Sequence, residues 1–290
     1  SDKGVNYGEL TDLVSFDTIK LGGIMNYEKE YSFCGALPSP DDERDYQLNS
    51  LIMRAVKLPE EYIVPIPAII ADQKNTGTCC ACSIAQIKHS QEFEELGDAD
   101  MFSAAYIYAN RKDDDYQGSG MYPREALQNL VEDGICHQED FPGYDTYEYD
   151  DLKALYILQK DKLDKIAKPY RIASYYRLND LDDIKLALYT VGYVQICYDV
   201  YKCLYNPDKN GFIKYNKLTR GKNYGGHSMT CVGYSDTKQA LAIVNSWGKD
   251  YGTSIEGVAD GGCIWIPYDY EFSEAWAIVD ATTQKELMKK

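Results

Sequence analysis

The most constraining feature of this chain is a cysteine at an apparent helix start whose chemical partners stand more than half the sequence away. Asp72-Gln73-Lys74-Asn75-Thr76-Gly77-Thr78-Cys79 leads into an expected helix from Cys80 to about Leu96, closed by Gly97, a suitable C′ residue. Far downstream come Gly225-Gly226-His227 and Val244-Asn245-Ser246-Trp247-Gly248. A neutral thiol attacks carbonyl carbon poorly. It needs a helix N-terminus and an imidazolium to hold it as thiolate, and a third group to orient the imidazole. Cys79, His227 and Asn245 can supply these parts, with His227 148 positions after Cys79 (227 − 79) and Asn245 18 further on (245 − 227). A fold that uses them must bring both ends of the chain to one groove.

The histidine can be chosen almost by elimination, because the chain has three. His89 would lie ~15 Å along the helix from Cys79, too far to share its proton. His137 follows an expected helix end at Gly134 and reads as an exposed loop residue. His227 opens an apolar strand to Tyr234, and a turn around Ser235 to Lys238 returns a second strand, Ala240 to Asn245, so that Asn245 comes back beside His227. Three cysteines crowd the helix start. Cys79, as the first helical residue, feels the positive helix end most directly, whereas Cys80 and Cys82 read as small buried thiols. Cys79 and Cys82 also form a C-x-x-C, but there is no second one and the other cysteines are scattered, so neither a metal nor an organic cofactor is expected.

The Asp72-Gln73-x5-Cys79, Gly225-Gly226-His227 and Val244-Asn245-Ser246-Trp247-Gly248 elements, in this order, resemble the papain-like cysteine peptidases of the C1 family. The leader Leu37-Pro38-Ser39-Pro40-Asp41-Asp42-Glu43-Arg44-Asp45-Tyr46 and the run Gly118-Ser119-Gly120-Met121-Tyr122-Pro123-Arg124-Glu125-Ala126-Leu127 are closer to the bacterial branch than to plant or lysosomal enzymes. The resemblance covers about Gly35 to Asp280. It implies an α+β, two-lobe fold with a helical left lobe, an antiparallel β-barrel-like right lobe and a cleft between them. It further implies a peptidase acting through Cys79, His227 and Asn245. The Gln73 amide and the Cys79 N–H would face the oxyanion, with Trp247 covering the His227–Asn245 bond. Gly120, Met121, Tyr122, Pro123 and Gly226 would line the path of an extended peptide or protein substrate, Gly120 or Met121 lending backbone hydrogen bonds.

The chain also departs from the family. The signature Cys-Gly-[Ser/Ala]-Cys-[Trp/Tyr] appears here as Thr76-Gly77-Thr78-Cys79-Cys80, so a disulfide that relatives anchor at the first position cannot form and a small thiol replaces a large aromatic. These changes leave two alternatives open, a pseudo-peptidase that binds peptides without cutting them and an acyl transferase of the same fold.

With 290 residues, 44% hydrophobic, the chain can bury a large core. A net charge of -16 excludes nucleic acid as a natural partner and favours cationic substrates by steering. The apolar runs are too short to span a bilayer. Nine cysteines leave at least one thiol unpaired; with Thr76 this favours a reducing or anaerobic setting, a secreted or cell-surface location staying open if a signal peptide has been removed. Three parts are expected: a polar leader, residues 1–58, which is either a pro-segment contacting the cleft or a belt tying the lobes; a helical lobe, 59–168, with a helix from Pro123 to Gly134; and a strand-rich lobe, 169–290. The last should contain a helix from Asp180 to Thr190 capped by Asn179, alternating Val194, Ile196, Tyr198 and Val200, and strands at Cys263 to Ile266 and Ala275 to Val279. Asn206 to Gly211 reads as a plain turn, not a calcium loop.

Overall fold

Small side chains let the first long helix run through the middle of the molecule. In this computed structural model, which describes residues 34–47, 56–66, 69–97, 100–143 and 149–281, α1 spans Cys79–Leu96 and is buried on every side from Cys79 to Gln91. Its buried polar side chains each find a partner for part of their hydrogen-bonding capacity: Gln86 Oε1 accepts from the Ala71 N–H (3.1 Å), Gln91 Nε2 donates to the Ile278 carbonyl (2.8 Å), and Lys88 pairs with Asp280 (2.6 Å) and Glu92 (2.9 Å). Gly97 ends the helix in the left-handed region at φ 76°, as expected. Against α1 pack α2 (Ala104–Ala109) and α3 (Pro123–Glu132), and α4 (Tyr149–Ala167) packs on α2. Pro123 opens α3, where the missing N–H costs nothing.

The remaining elements are β1 (Glu61–Ile63), β2 (Ile172–Arg177), α5 (Leu181–Thr190), β3 (Val194–Asp199), β4 (Gly226–Ser235), β5 (Ala240–Val244), β6 (Thr253–Ile255), β7 (Ala259–Pro267) and β8 (Phe272–Asp280). All pairings are antiparallel, in the order β2-β8-β3-β4-β5-β7-β6, with β1 beside the far end of β4. The sheet carries a core on each face, one shared with the helices and one rich in tyrosine beneath α5. The barrel suggested by the resemblance does not close, because β2 and β6 end the path unpaired with each other. The arrangement is α+β with two domains, as expected. The cap of α5 differs: Asp180 is extended and accepts from the Asp183 N–H (2.9 Å), while Asp183 reaches back to the Asn179 N–H (3.0 Å). Most of the periodic stretch Tyr46 to Val56 lies outside the described residues.

Candidate active site

The candidate nucleophile is positioned by a short loop bonded to itself and, through Gln73, to Ser246. Thr76 Oγ1 donates to the Gln73 carbonyl (2.5 Å) and bonds Thr78 Oγ1 (2.7 Å), so a hydroxyl network holds the turn where relatives of this sequence type place a disulfide. Gln73 is fixed at both ends of its amide: Nε2 donates to the Thr76 carbonyl (2.8 Å) and Oε1 accepts from Ser246 Oγ (2.6 Å). Cys79 follows as the first residue of α1. The helices α3, α4 and α5 carry carboxylates in their first turns, but α1 carries none, and no side chain caps it. The partial positive charge of its N-terminus is left for the cysteine sulfur.

The candidate base is positioned by strand register. Val244 lies opposite Thr230, so the antiparallel ladder of β4 and β5 delivers the residue after Val244 toward the start of β4. His227 Nε2 and Asn245 Oδ1 are 2.7 Å apart. Trp247 stacks over the imidazole, ring centroids 4.9 Å apart and 28° between planes, and is backed by Tyr205 at 5.3 Å and 7°. Beside them, Ser228 Oγ meets Ser83 Oγ of α1 (2.8 Å) and Thr230 Oγ1 donates to the Ser83 carbonyl (3.2 Å), which fastens β4 against the nucleophile's helix.

Cys79 and His227 are each 0% exposed. Burial raises the Cys79 thiol, but hydrogen bonds from Cys80 and His227, the His227 charge and the Ser228 N–H more than offset this, holding Cys79 well below its ordinary value. Burial, together with the neighbouring Cys79 sulfur, holds Cys80 well above it. His227 Nδ1, the ring nitrogen not used by Asn245, is turned to the Cys79 side, where its hydrogen bond and its charge both act on the sulfur. His89 is buried, with Nδ1 3.3 Å from the Asp100 carbonyl, and His137 is half-buried and stacked on Phe102 at 4.6 Å, not an exposed loop residue.

Of the expected substrate-path residues, Met121 bonds the leader through its backbone, whereas the backbone of Gly120 is engaged elsewhere. The Gly120 N–H bonds Tyr108 Oη (3.2 Å), and its carbonyl accepts from Arg111 (2.5 Å). Arg111 is 1% exposed and also gathers the Tyr116 and Gly118 carbonyls (both 2.8 Å), a clamp on the loop that composition alone did not signal. Tyr122 caps α3 and Pro123 is buried as its first residue.

The groups in the cleft are covered by the chain's own leader. The Met121 N–H donates to the Gly35 carbonyl (2.8 Å), the Leu37 N–H to the Met121 carbonyl (3.0 Å), and the Ala36 N–H to the Gly226 carbonyl (3.0 Å). Ala36 pairs with Met121 in parallel. The approach is close enough to require glycine: a Cβ on Gly226 would stand 2.1 Å from the Ala36 carbonyl oxygen, and one on Gly35 2.1 Å from that of Gly77. Beyond Leu37 the leader is anchored by Arg124 to Asp42 (3.0 Å) and by Arg177 to Asp45 (3.5 Å) and Asp41 (3.6 Å).

A sequence model of the papain family cysteine proteases matches residues 65–257. An uncharacterized peptidase C1-like protein of Acanthamoeba polyphaga mimivirus is 25% identical over 240 residues, 76% of this chain and 73% of that protein. Among solved structures, xylellain, a cysteine protease from the bacterium Xylella fastidiosa, superposes with a TM-score of 0.72 at 23% identity, covering 87% of this chain and 98% of that one. A procathepsin B from Trypanosoma congolense gives 0.63 at 19%, covering 86% and 87%. The two structures share the fold. With the family matched over more than half its length, the chain belongs to the papain family of cysteine proteases and is a cysteine-type peptidase.

Proposed function

We propose that this peptidase is an endopeptidase that cuts through a Cys79-His227-Asn245 triad and an acyl-thioester intermediate. Cys79 Sγ attacks the peptide carbonyl carbon, and the resulting oxyanion is met by the Cys79 N–H and the Gln73 amide. His227 passes its Nδ1 proton to the leaving amine, the C–N bond breaks, and the acyl group remains on sulfur. His227 then takes a proton from water, which attacks the thioester and releases the acid and the thiolate. Asn245 holds the ring so that Nδ1 stays on the sulfur side. The observation that carries this reading is the 2.7 Å His227–Asn245 bond beside a thiol held below its ordinary value. Hydrolysis of a fluorogenic peptide, lost in Cys79→Ala together with labelling by an epoxysuccinyl inhibitor, is the expected result; an unlabelled Cys79 would leave a binder in place of a hydrolase.

The leader, up to about Leu58, acts as an inhibitory pro-segment across the groove between lobes formed by residues 59–168 and 169–290; its first 33 residues lie outside the described ones. Ala36→Pro removes the N–H that binds the Gly226 carbonyl, so turnover should rise several-fold, roughly what losing one to two hydrogen bonds allows. Unchanged turnover would favour the belt.

A further inference from the structure

Charge is spread unevenly along this chain, and the exception lies against the groove. Residues 202–222, in the connection between β3 and β4, carry six lysines and arginines and a single acid, Asp208. The rest of the chain holds 24 basic and 45 acidic residues, a net of -21 (24 − 45), while this segment stands at +5. Lys202, Lys209, Lys214, Lys217 and Lys222 are exposed, and Arg220 is half-buried. Lys217 holds Glu271 (2.7 Å), and Asp208 accepts from the N–H groups of Asn210 (2.9 Å) and Phe212 (3.0 Å). Among the described residues, Lys209, Lys214, Arg220 and Lys222 form no ion pair.

Two of these cations are fixed by aromatic rings. Arg220 lies over Tyr201, 4.6 Å from the ring centre, and its Nη1 donates to Tyr215 Oη (3.2 Å); Tyr215 stacks on the buried Tyr270 at 4.2 Å and 25°. Lys222 lies over Tyr224 at 5.4 Å. A ring face holds a cation without neutralising it, so both side chains keep their charge for an anionic partner and lose little freedom on meeting one. The same rings lead back to the reacting groups: Tyr224 meets Tyr205 (5.5 Å), Tyr205 stacks on Trp247 (5.3 Å), and Trp247 on His227 (4.9 Å). Lys222 therefore stands no more than about 21 Å from His227, the length of about six extended residues.

The leader shows which end of the groove this is. At one end the Ser39 N–H donates to Glu274 Oε2 (2.9 Å); at the other Cys34 lies against Gly225, where an added Cβ would stand 3.0 Å from the Cys34 Cβ. Because His227 gives its proton to the leaving amine, the half of the peptide that follows the cut lies along the His227 wall. The basic segment continues that wall.

We infer that this segment, through Arg220 and Lys222, is a docking surface for acidic side chains carried by the peptide substrate within about six residues after the cut. This rests on the endopeptidase reading and gives it a substrate class. The chain's overall charge of -16 disfavours acidic peptides elsewhere, so the local reversal selects which half of the peptide carries the acid. Among the described residues only Nη1 of Arg220 is hydrogen-bonded, which leaves the other edge of the guanidinium to meet a carboxylate in two parallel bonds.

The test uses the full chain and peptides identical up to the cut, followed by six residues that carry either two glutamates or two glutamines in the last four places. The glutamate peptide should exceed its twin in kcat/KM by about 3- to 10-fold at low salt, and the ratio should fall toward 1 as salt screens the contact. Arg220→Gln with Lys222→Gln should bring the ratio close to 1, and Arg220→Glu with Lys222→Glu should take it below 1. Lys162→Gln with Lys165→Gln, which removes the same two charges from exposed positions on α4, should leave it unchanged. A ratio near 1 in the parent chain, one that the Arg220 and Lys222 variants leave intact, or one that the α4 pair lowers equally overturns the inference. Retention on a sulfated polysaccharide together with a ratio near 1 would make the segment a polysaccharide site and overturn it too. Should no peptide be cut, the hydrolytic reading fails, and binding of the two six-residue stretches to the Cys79→Ala chain decides this one separately. Tighter binding of the glutamate form that depends on Arg220 and Lys222 supports it, and equal binding overturns it.

Discussion

On the Cys79 side of the cleft, geometry is set largely within one turn: Gln73, Thr76 and Thr78 bond to one another, with Ser246 reaching across to Gln73, and the helix that follows supplies the field. On the His227 side almost nothing is local. The ring is aimed by pairing among β3, β4 and β5, and is covered by Trp247 and Tyr205, which come from different parts of the chain. The proposed nucleophile is held mostly by a short stretch of sequence, whereas its proposed base depends on strands drawn from across the sheet. The two walls should therefore fail differently when disturbed.

The largest effect is expected at the sulfur. Cys79→Ala should lower kcat/KM at least about 1,000-fold, since it removes the nucleophile from a turn that other residues hold, its effect on stability being the pH-dependent share of the ionised sulfur. Trp247→Ala should do the reverse in balance. Deleting a buried ring that touches His227, Tyr205 and Tyr251 should cost ~3–5 kcal/mol in urea unfolding, with activity falling as a consequence. If Trp247→Ala proved as stable as the parent, the contrast between the walls would be lost.

A titration sharpens the comparison. Because folding lowers the Cys79 thiol below its ordinary value of 9.0, the ionised sulfur contributes stability that is fully present above that value and is lost as pH falls through the folded one. The stability difference between the parent chain and Cys79→Ala should therefore climb with pH below about 9 and level off above it; a flat difference would mean that the thiol is not lowered. The smallest effect belongs to the turn itself. Thr76→Val, which loses the bonds to Gln73 and Thr78, should cost ~1–2 kcal/mol and reduce kcat more than KM.

The same division explains what the sequence made legible. Cys79, His227 and Asn245 could be picked out because a helix start and a strand hairpin have local signatures, and the structure brings Asn245 to His227 as the turn at Ser235 to Lys238 required. Glu274, Arg111 and the Ser246 contact to Gln73 left no such trace, since each acquires its meaning from a partner distant in the fold or, for Arg111, from how a loop turns back on itself. β2 was missed because half-buried Ser174, Tyr175 and Tyr176 weaken its alternation. Four of the abundant tyrosines, which composition could not explain, reach carbonyls in connections or at the ends of elements: Tyr193 to Pro65, Tyr234 to Pro59, Tyr251 to Leu204 and Tyr270 to Asp199. They let a core residue also satisfy the backbone of the connection above it.

All nine cysteines are free, and the fold sorts them. Burial raises eight, Cys34, Cys82, Cys136, Cys231 and Cys263 to about 12 and Cys80, Cys197 and Cys203 also above normal; Cys79 alone is lowered, because its neighbours Cys80, His227 and the Ser228 N–H outweigh its burial. An electrophile added to the intact protein thus meets one competent sulfur, and that sulfur lies under the leader. The speed of alkylation becomes a clock for how often the groove uncovers itself.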